Sequence, residues 1–309
     1  MPSTSINNKG YLALVITSFF WGTTWVASKI GISSIPALQM AAIRQLLAGI
    51  ILVAYFITVK KFPLPTSRQF GWLTVMAMLM FVFANGLSTM SLNYIPAGLS
   101  ALIGALFPLS LVLIERIFFK AKKMTALTLT GFFLGIAGIA IVFKENIFHN
   151  NSPHFNWGVL LSVIAMLSWS FGAIFTARNS VNMDPYYSTG WQMLISSVFL
   201  FLFSEAVQPL MPLHLIPFKV WLVIIYLVAI GSILSFMAFI YSMKKLPTAI
   251  ASLYAYINPL VAMLLAPMFI NEKLTANILL GSVVTLLGVF LVNYSIKKNQ
   301  KKLIAEPEQ

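Results

Sequence analysis

The 309-residue chain contains no cysteine, seven acidic residues and three histidines. Without thiols it forms no disulfide and offers no thiolate metal ligand. The acids are Glu115, Glu145, Asp184, Glu205, Glu272, Glu306 and Glu308, none at the middle of an apolar run, and His149, His154 and His214 fall between runs. Membrane proteases need a serine with an in-membrane histidine, paired intramembrane aspartates, or clustered metal ligands. No such set is written here, so no enzyme, cofactor or metal centre is expected. A channel would call for a ring of charges or a carbonyl filter, and neither is visible. Charged residues make up only 9% of the chain, against roughly a quarter in soluble proteins. A water-exposed surface of ordinary size could not be covered.

What is present is apolar. Hydrophobic residues make up 59% of the chain, with a mean hydropathy of +0.89. Crossing about 30 Å of hydrocarbon takes roughly 20 apolar residues per helix, because backbone polar groups must be satisfied inside lipid. Runs of that length predict helices over Tyr11–Ile30, Ala37–Val59, Phe70–Leu92, Ala97–Phe119, Thr125–Phe143, Trp157–Ala177, Tyr186–Ala206, Lys219–Met243, Thr248–Ile270 and Thr275–Ser295. The first follows Lys9 as a secretory signal would, yet it is long, lacks a small-residue cleavage site and precedes nine further spans, so it is read as structure. The expected fold is an all-α integral membrane protein of ten transmembrane helices.

The first five spans recur in the second five. Pro96 and Pro247, and Pro108 and Pro259, both stand 151 apart, and Phe118 pairs with Phe269. After a one-residue slip, Thr125, Ala126, Leu129, Gly131, Gly138 and Val142 pair with Thr275, Ala276, Leu279, Gly281, Gly288 and Val292. Trp21 falls opposite Trp169, and Pro36 opposite Pro185. An odd number of crossings per copy makes the second copy start from the opposite side, giving two inverted five-helix repeats. The expected boundaries are 1–148, 149–298 and a polar tail over 299–309.

The net charge of +13 invites a nucleic-acid reading, but the cations are sorted by position. Lys9, Lys60, Lys61, Arg68, Arg116, Lys120, Lys122, Lys123, Arg178, Lys244, Lys245, Lys297, Lys298, Lys301 and Lys302 lie at one set of helix ends, and only Lys29, Lys144, Lys219 and Lys273 at the other. Cytoplasmic loops carry such an excess. Both termini are therefore expected in the cytoplasm, with the lipid bilayer rather than nucleic acid as the partner.

Several of these segments carry a resemblance. Phe20, Trp21, Gly22 in the first span, Ala42, Ile43, Arg44 in the second, Asn258, Pro259, Leu260 in the ninth and Asn271, Glu272, Lys273, Leu274 after it, with the glycines of the last helix, resemble the EamA-type transporters of the drug/metabolite transporter superfamily. The chain departs from the pattern at Lys122, where an acid would match Glu272. The resemblance implies a central cavity lined by the first, third and fourth helices and by the sixth, eighth and ninth. It also implies efflux of amino acids or related small metabolites.

The residues support a cavity independently. Ser18, Trp21, Trp25 and Ser28 share one face of the first span, Ser162, Trp169 and Thr176 one face of the sixth, and Phe81, Asn85 and Ser88 one face of the third. Ser232, Ser235, Phe239 and Ser242 do the same in the eighth. Lipid gains nothing from hydroxyls or amides, so such faces turn inward. A serine that bonds its own backbone explains the same pattern. Tyr254, Tyr256 and Asn258 bring polar groups just ahead of Pro259, and Pro108 and Pro259 are expected helix kinks. Arg44 is the charge clearly inside a span. It offers either an anchor for a carboxylate or phosphate or a side chain that snorkels to the interface, with Gln192 in the matching place. Gly131, Gly135, Gly138, Gly281 and Gly288 read as close-packing positions or a dimer contact.

The candidate cavity residues are thus Trp21, Trp25, Arg44, Asn85, Trp169, Gln192, Ser235, Tyr254, Tyr256 and Asn258. With no acid or histidine at mid-membrane, the expected mechanism is alternating access driven by the substrate gradient, in the plasma (inner) membrane. The alternatives are proton-antiport efflux of toxic compounds and a membrane-embedded enzyme. A small-molecule substrate is implied, and a monomer suffices although a homodimer is compatible.

Overall fold

A computed structural model describes residues 8–119, 124–149, 154–178, 181–246 and 248–305. Lys120, Lys122, Lys123, Pro247, Glu306 and Glu308 lie outside the described residues, as do the side chains of Glu145, His149, Lys297, Lys301 and Lys302. The spans are α1 Asn8–Ile32, α2 Ala37–Thr58, α3 Ser67–Ser91, α4 Ala97–Phe118, α5 Ala126–His149, α6 Phe155–Arg178, α7 Pro185–Val207, α8 Phe218–Lys245, α9 Tyr254–Ile270 and α10 Ala276–Ala305. Nine of the described helices are long and apolar enough to cross a membrane by themselves. The tenth span is the 17-residue α9 together with the short turn of helix Thr248–Ala251 before it.

Local chemistry sets the boundaries. Proline precedes α2, α4 and α8 as Pro36, Pro96 and Pro217, where its fixed φ and missing N–H suit a helix entry. The Thr66 hydroxyl and Gln69 side chain close a capping box on α3, and Asp184 caps α7 by accepting from Tyr186 and Tyr187. At the far end of α9, Asn271 stops the helix in the left-handed region at φ 54°.

Four helices are not continuous α-helical rods. In α3, Met78–Gly86 is wound as π-helix, and in α8 so is Leu227–Leu234. The two stretches begin 149 residues apart, the same spacing as Pro36 and Pro185. The third departure is in α9. The chain breaks at Ser252 and Leu253, with i to i+3 bonds from Ala255 N–H to Ser252 and from Tyr256 N–H to Leu253, and then runs as helix straight through Pro259. A kink is expected at Pro259; the break in the helix lies on its N-terminal side, at Ser252 and Leu253. The turn that cannot donate from Pro259 is tightened from its start instead. In the first half the break does sit beside the proline, at Ala105 and Leu106 just before Pro108.

The halves interlock rather than lie side by side. Helix α1 packs on α8 and α9 of the second half, while α6 packs on α3 and α4 of the first. The pairs α2 with α7 and α5 with α10 complete the two seams. Missing side chains let these backbones touch. A Cβ on Gly288 would meet the Gly131 carbonyl at 2.5 Å, one on Gly281 the Gly138 carbonyl at 2.6 Å, and one on Gly49 the Leu194 backbone at 2.6 Å. The glycines of α5 and α10 thus face each other across the seam.

Candidate functional site

Between the halves lies a cavity of about 170 Å³, walled by α1, α3, α4, α6, α8 and α9 and reached from α2 by Arg44. A liquid water occupies about 30 Å³, so the space suits a small metabolite rather than a few ions.

Its aromatic side is built from both halves. Trp21 stacks edge-on to Phe236 at 5.1 Å, Tyr254 at 5.5 Å and Trp169 at 6.2 Å, and lies 5.1 Å from Phe239. Phe81 joins through Phe236 at 5.4 Å. Two of the indoles are anchored: Trp21 Nε1 donates to the Gly231 carbonyl at 3.2 Å and Trp25 Nε1 to Asn258 Oδ1 at 2.9 Å. Tryptophan has a donor and no acceptor, so Trp25 fixes which end of the Asn258 amide faces away from the space.

The π-stretch of α8 is held from α1. Besides Trp21, the Thr17 hydroxyl lies 3.3 Å from the Ser235 carbonyl, and Thr23 pairs with the Tyr226 hydroxyl at 2.5 Å. From the other half, Ser168 on α6 donates to the Leu79 carbonyl in the π-stretch of α3 at 2.9 Å. Wider winding frees carbonyls from the usual ladder, and one in each stretch, that of Gly231 and that of Leu79, accepts from a side chain of the opposite half.

Arg44 is 5% exposed and lines the cavity. Its Nε donates to Ser232 Oγ at 2.7 Å, and a Cβ on Gly231 would come within 3.1 Å of Nη2, so that glycine makes room for the guanidinium. Among the described residues the ion pair is Arg178 with Glu115 at 3.8 Å, so Arg44 has no carboxylate partner there. The burial rules out a head group snorkelled into water.

Of the ten residues singled out in the sequence, Trp21, Trp25, Arg44, Asn85, Trp169, Tyr254 and Asn258 line the cavity. Three do not. Gln192 donates to Ser188 one turn back within α7. Ser235 is wholly buried and bonds the Ile230 carbonyl of its own helix. Tyr256 turns to α10, donating to the Val289 carbonyl at 3.1 Å and meeting Asn293. Each polar group found a partner in the scaffold, the reading that in-helix serine bonding already offered. Thr24, Met80, Ser100, Phe107, Met166 and Phe236 also line the space and were not singled out. Thr24 and Phe236 sit one turn from flagged neighbours, whereas Met80 and Met166 give no sequence signal beyond ordinary apolar character.

One charged cluster lies at the end of the bundle opposite the described termini. Glu272, in the turn between α9 and α10, accepts the Ala97 N–H with both carboxylate oxygens, at 2.9 and 3.0 Å. It thereby caps α4, whose preceding Pro96 has no side-chain oxygen. Lys29, at the end of α1, donates to the Leu92 and Ile95 carbonyls between α3 and α4, the latter at 3.0 Å. Burial pushes the Glu272 carboxyl above its usual range, opposed by the Ala97 N–H, the Lys29 charge and the Gly98 N–H.

Comparison with known proteins follows the same outline. The family model described as EamA-like transporter family matches residues 8–144 and 156–294, one match per half. The chain is 31% identical over 266 residues to a protein of Escherichia coli (strain K12) called uncharacterized inner membrane transporter YedA, covering 85% of this chain and 83% of that protein. It is 23% identical to the uncharacterized transporter YoaV of Bacillus subtilis (strain 168), over 94% of this chain and 99% of that one. A solved crystal structure covers 95% of this chain and 99% of its own at a TM-score of 0.65 and 15% identity, a likeness of fold.

Proposed function

The chain belongs to the EamA-like transporter family of the drug/metabolite transporter superfamily, and on that premise we propose that it exports amino acids or related small metabolites across the plasma (inner) membrane by alternating access. The observation that carries this reading is the cavity between inverted halves, with an aromatic side contributed by both. Rocking one half against the other exposes such a site to each face in turn. The excess of cations at the ends shared with the termini supports cytoplasmic termini.

Among the described residues no aspartate, glutamate or histidine lines the cavity. Proton-coupled carriers typically hold a titratable group in the core. Facilitated export or exchange down the substrate gradient is therefore favoured over the competing reading, proton-antiport efflux of toxic compounds. The test is flux in proteoliposomes loaded with mixed amino acids. Release that is indifferent to collapse of an imposed pH gradient is expected. Release that tracks the gradient would overturn the coupling, and no release of any amino acid would overturn the substrate.

A further inference from the structure

Resting on that transport reading, we propose that the cavity is a carboxylate site, with the Arg44 guanidinium as anchor and the amide groups of Asn85 and Asn258 as supporting donors. Its substrates are then zwitterionic or anionic molecules with one carboxylate and an apolar or aromatic side group, not lipophilic cations.

A guanidinium in a membrane interior needs compensation, because an uncompensated buried charge is strongly destabilising. Arg44 is 95% buried in effect, being 5% exposed, and the single hydrogen bond it makes among the described residues runs from Nε to Ser232. Arg44 lines the cavity and its Nη2 packs beside Gly231, and among the described residues no acid meets the guanidinium. A planar fork of N–H groups matches a carboxylate in two parallel bonds.

The two asparagines point to the same polarity. Asn258 gives its oxygen to Trp25, a donor-only group, which leaves its NH2 for the cavity. Asn85 accepts from Gln45 Nε2 at 3.1 Å and likewise lines the space. Each amide oxygen already accepts one hydrogen bond, so the NH2 groups are the ends that can donate to an acceptor-rich ligand. The hydroxyls of Thr24 and Ser88 donate to their own helices, to the Trp21 and Asn85 carbonyls. Their lone pairs are left for an ammonium group. Arg44 and Trp21 also share a neighbour, since Gly231 accepts from the indole and packs against the guanidinium. The carboxylate of a substrate would therefore sit beside the aromatic wall.

The test uses the full chain in lipid nanodiscs and calorimetric titration with the proteinogenic amino acids. For every one that binds, its carboxamide and its decarboxylated amine are titrated too. The wild type is expected to prefer the acid by about tenfold or more. Arg44→Gln is expected to bind acid and amide alike, with affinity for the amide unchanged, a pattern that a merely structural arginine would not produce. If that variant does not assemble, Arg44→Lys decides. It keeps the charge and loses the fork, so acid affinity should fall by about fivefold or more at constant amide affinity. Equal binding of acid and amide by the wild type, an Arg44→Gln protein that keeps the preference, or an Arg44→Lys protein with full acid affinity would each overturn the site. So would binding of none of the amino acids. Efflux of an uncharged or cationic compound by that same wild-type protein would then leave the transporter reading standing.

Discussion

Glu272 separates two effects that are usually confounded, the value of a helix cap and the cost of burying the charge that provides it. Glu272→Gln keeps an oxygen for the Ala97 N–H and removes the charge, whereas Glu272→Ala removes both. The gap between the two variants is the cap. A side-chain cap contributes about 0.5–2 kcal/mol, and the Ala97 N–H is held at 2.9 and 3.0 Å by the two oxygens with no alternative on Pro96. We therefore expect Glu272→Ala to be about 1.5 kcal/mol less stable than Glu272→Gln. Reversible unfolding in mixed detergent and dodecyl sulfate micelles, followed by circular dichroism, reads that difference.

The charge shows itself in the pH dependence. Burial raises the Glu272 carboxyl above 4.5, and this outweighs the lowering by Ala97, Lys29 and Gly98. A carboxyl raised on folding binds its proton more tightly folded than unfolded, so its contribution is complete at low pH and lost as pH climbs through the window above 4.5. Wild type should lose stability relative to Glu272→Gln across that window. Lys29→Met, which removes one lowering influence, should steepen the loss. An ordinary ion pair does the opposite. If wild type instead gains on Glu272→Gln as pH rises, the argument from desolvation fails and the Lys29 attraction dominates.

Four further substitutions probe the scaffold and the cavity wall. Gly288→Ala drives a Cβ into the Gly131 carbonyl at 2.5 Å and should cost about 1–3 kcal/mol in the same unfolding assay, while Gly71→Ala, with nothing within 4 Å, should be neutral or gain up to about 1 kcal/mol. Gly231→Ala meets Thr24 at 2.8 Å and Arg44 Nη2 at 3.1 Å; it should displace the guanidinium and lower amino-acid flux in proteoliposomes by more than tenfold at a smaller loss of stability, about 1 kcal/mol. Trp21→Phe keeps a ring against Phe236 and Phe239 but leaves the Gly231 carbonyl without its donor, an expected loss of about 1–2 kcal/mol in unfolding.

The sequence made the spans, the duplication and most of one cavity wall legible, because each leaves a periodic trace. Apolar runs of membrane length have one use, and Trp21, Trp25, Asn85 and Trp169 each fall on a polar or aromatic stripe of a helix that lines the cavity. A stripe does not say where its polar groups end. Ser235 and Gln192 sit on helices bordering the central region and bond within their own helices, and Tyr256, two residues from Asn258, faces α10 instead. That choice depends on the rotation of α9 after its break at Ser252, which no local pattern marks. The Glu272 cap was equally hidden, since it joins positions 175 apart and the motif around it carries only a family resemblance.

The π-stretches were illegible for a different reason, and they bear most directly on how the halves work together. Met78–Gly86 and Leu227–Leu234 have no proline, and their composition is that of any apolar helix. What marks them is the partner across the seam: Trp21 of the first half on Gly231 of the second, and Ser168 of the second on Leu79 of the first. Wider winding opens a carbonyl to a donor on another helix without exposing it to lipid. The duplication then accounts for the reciprocity, because an inverted repeat that places its first helix against the other copy's third must do so twice. Each half thus grips the irregular turn of the other at the level of the cavity. A change in that turn's winding would alter the wall around Arg44 and the hold between the halves together.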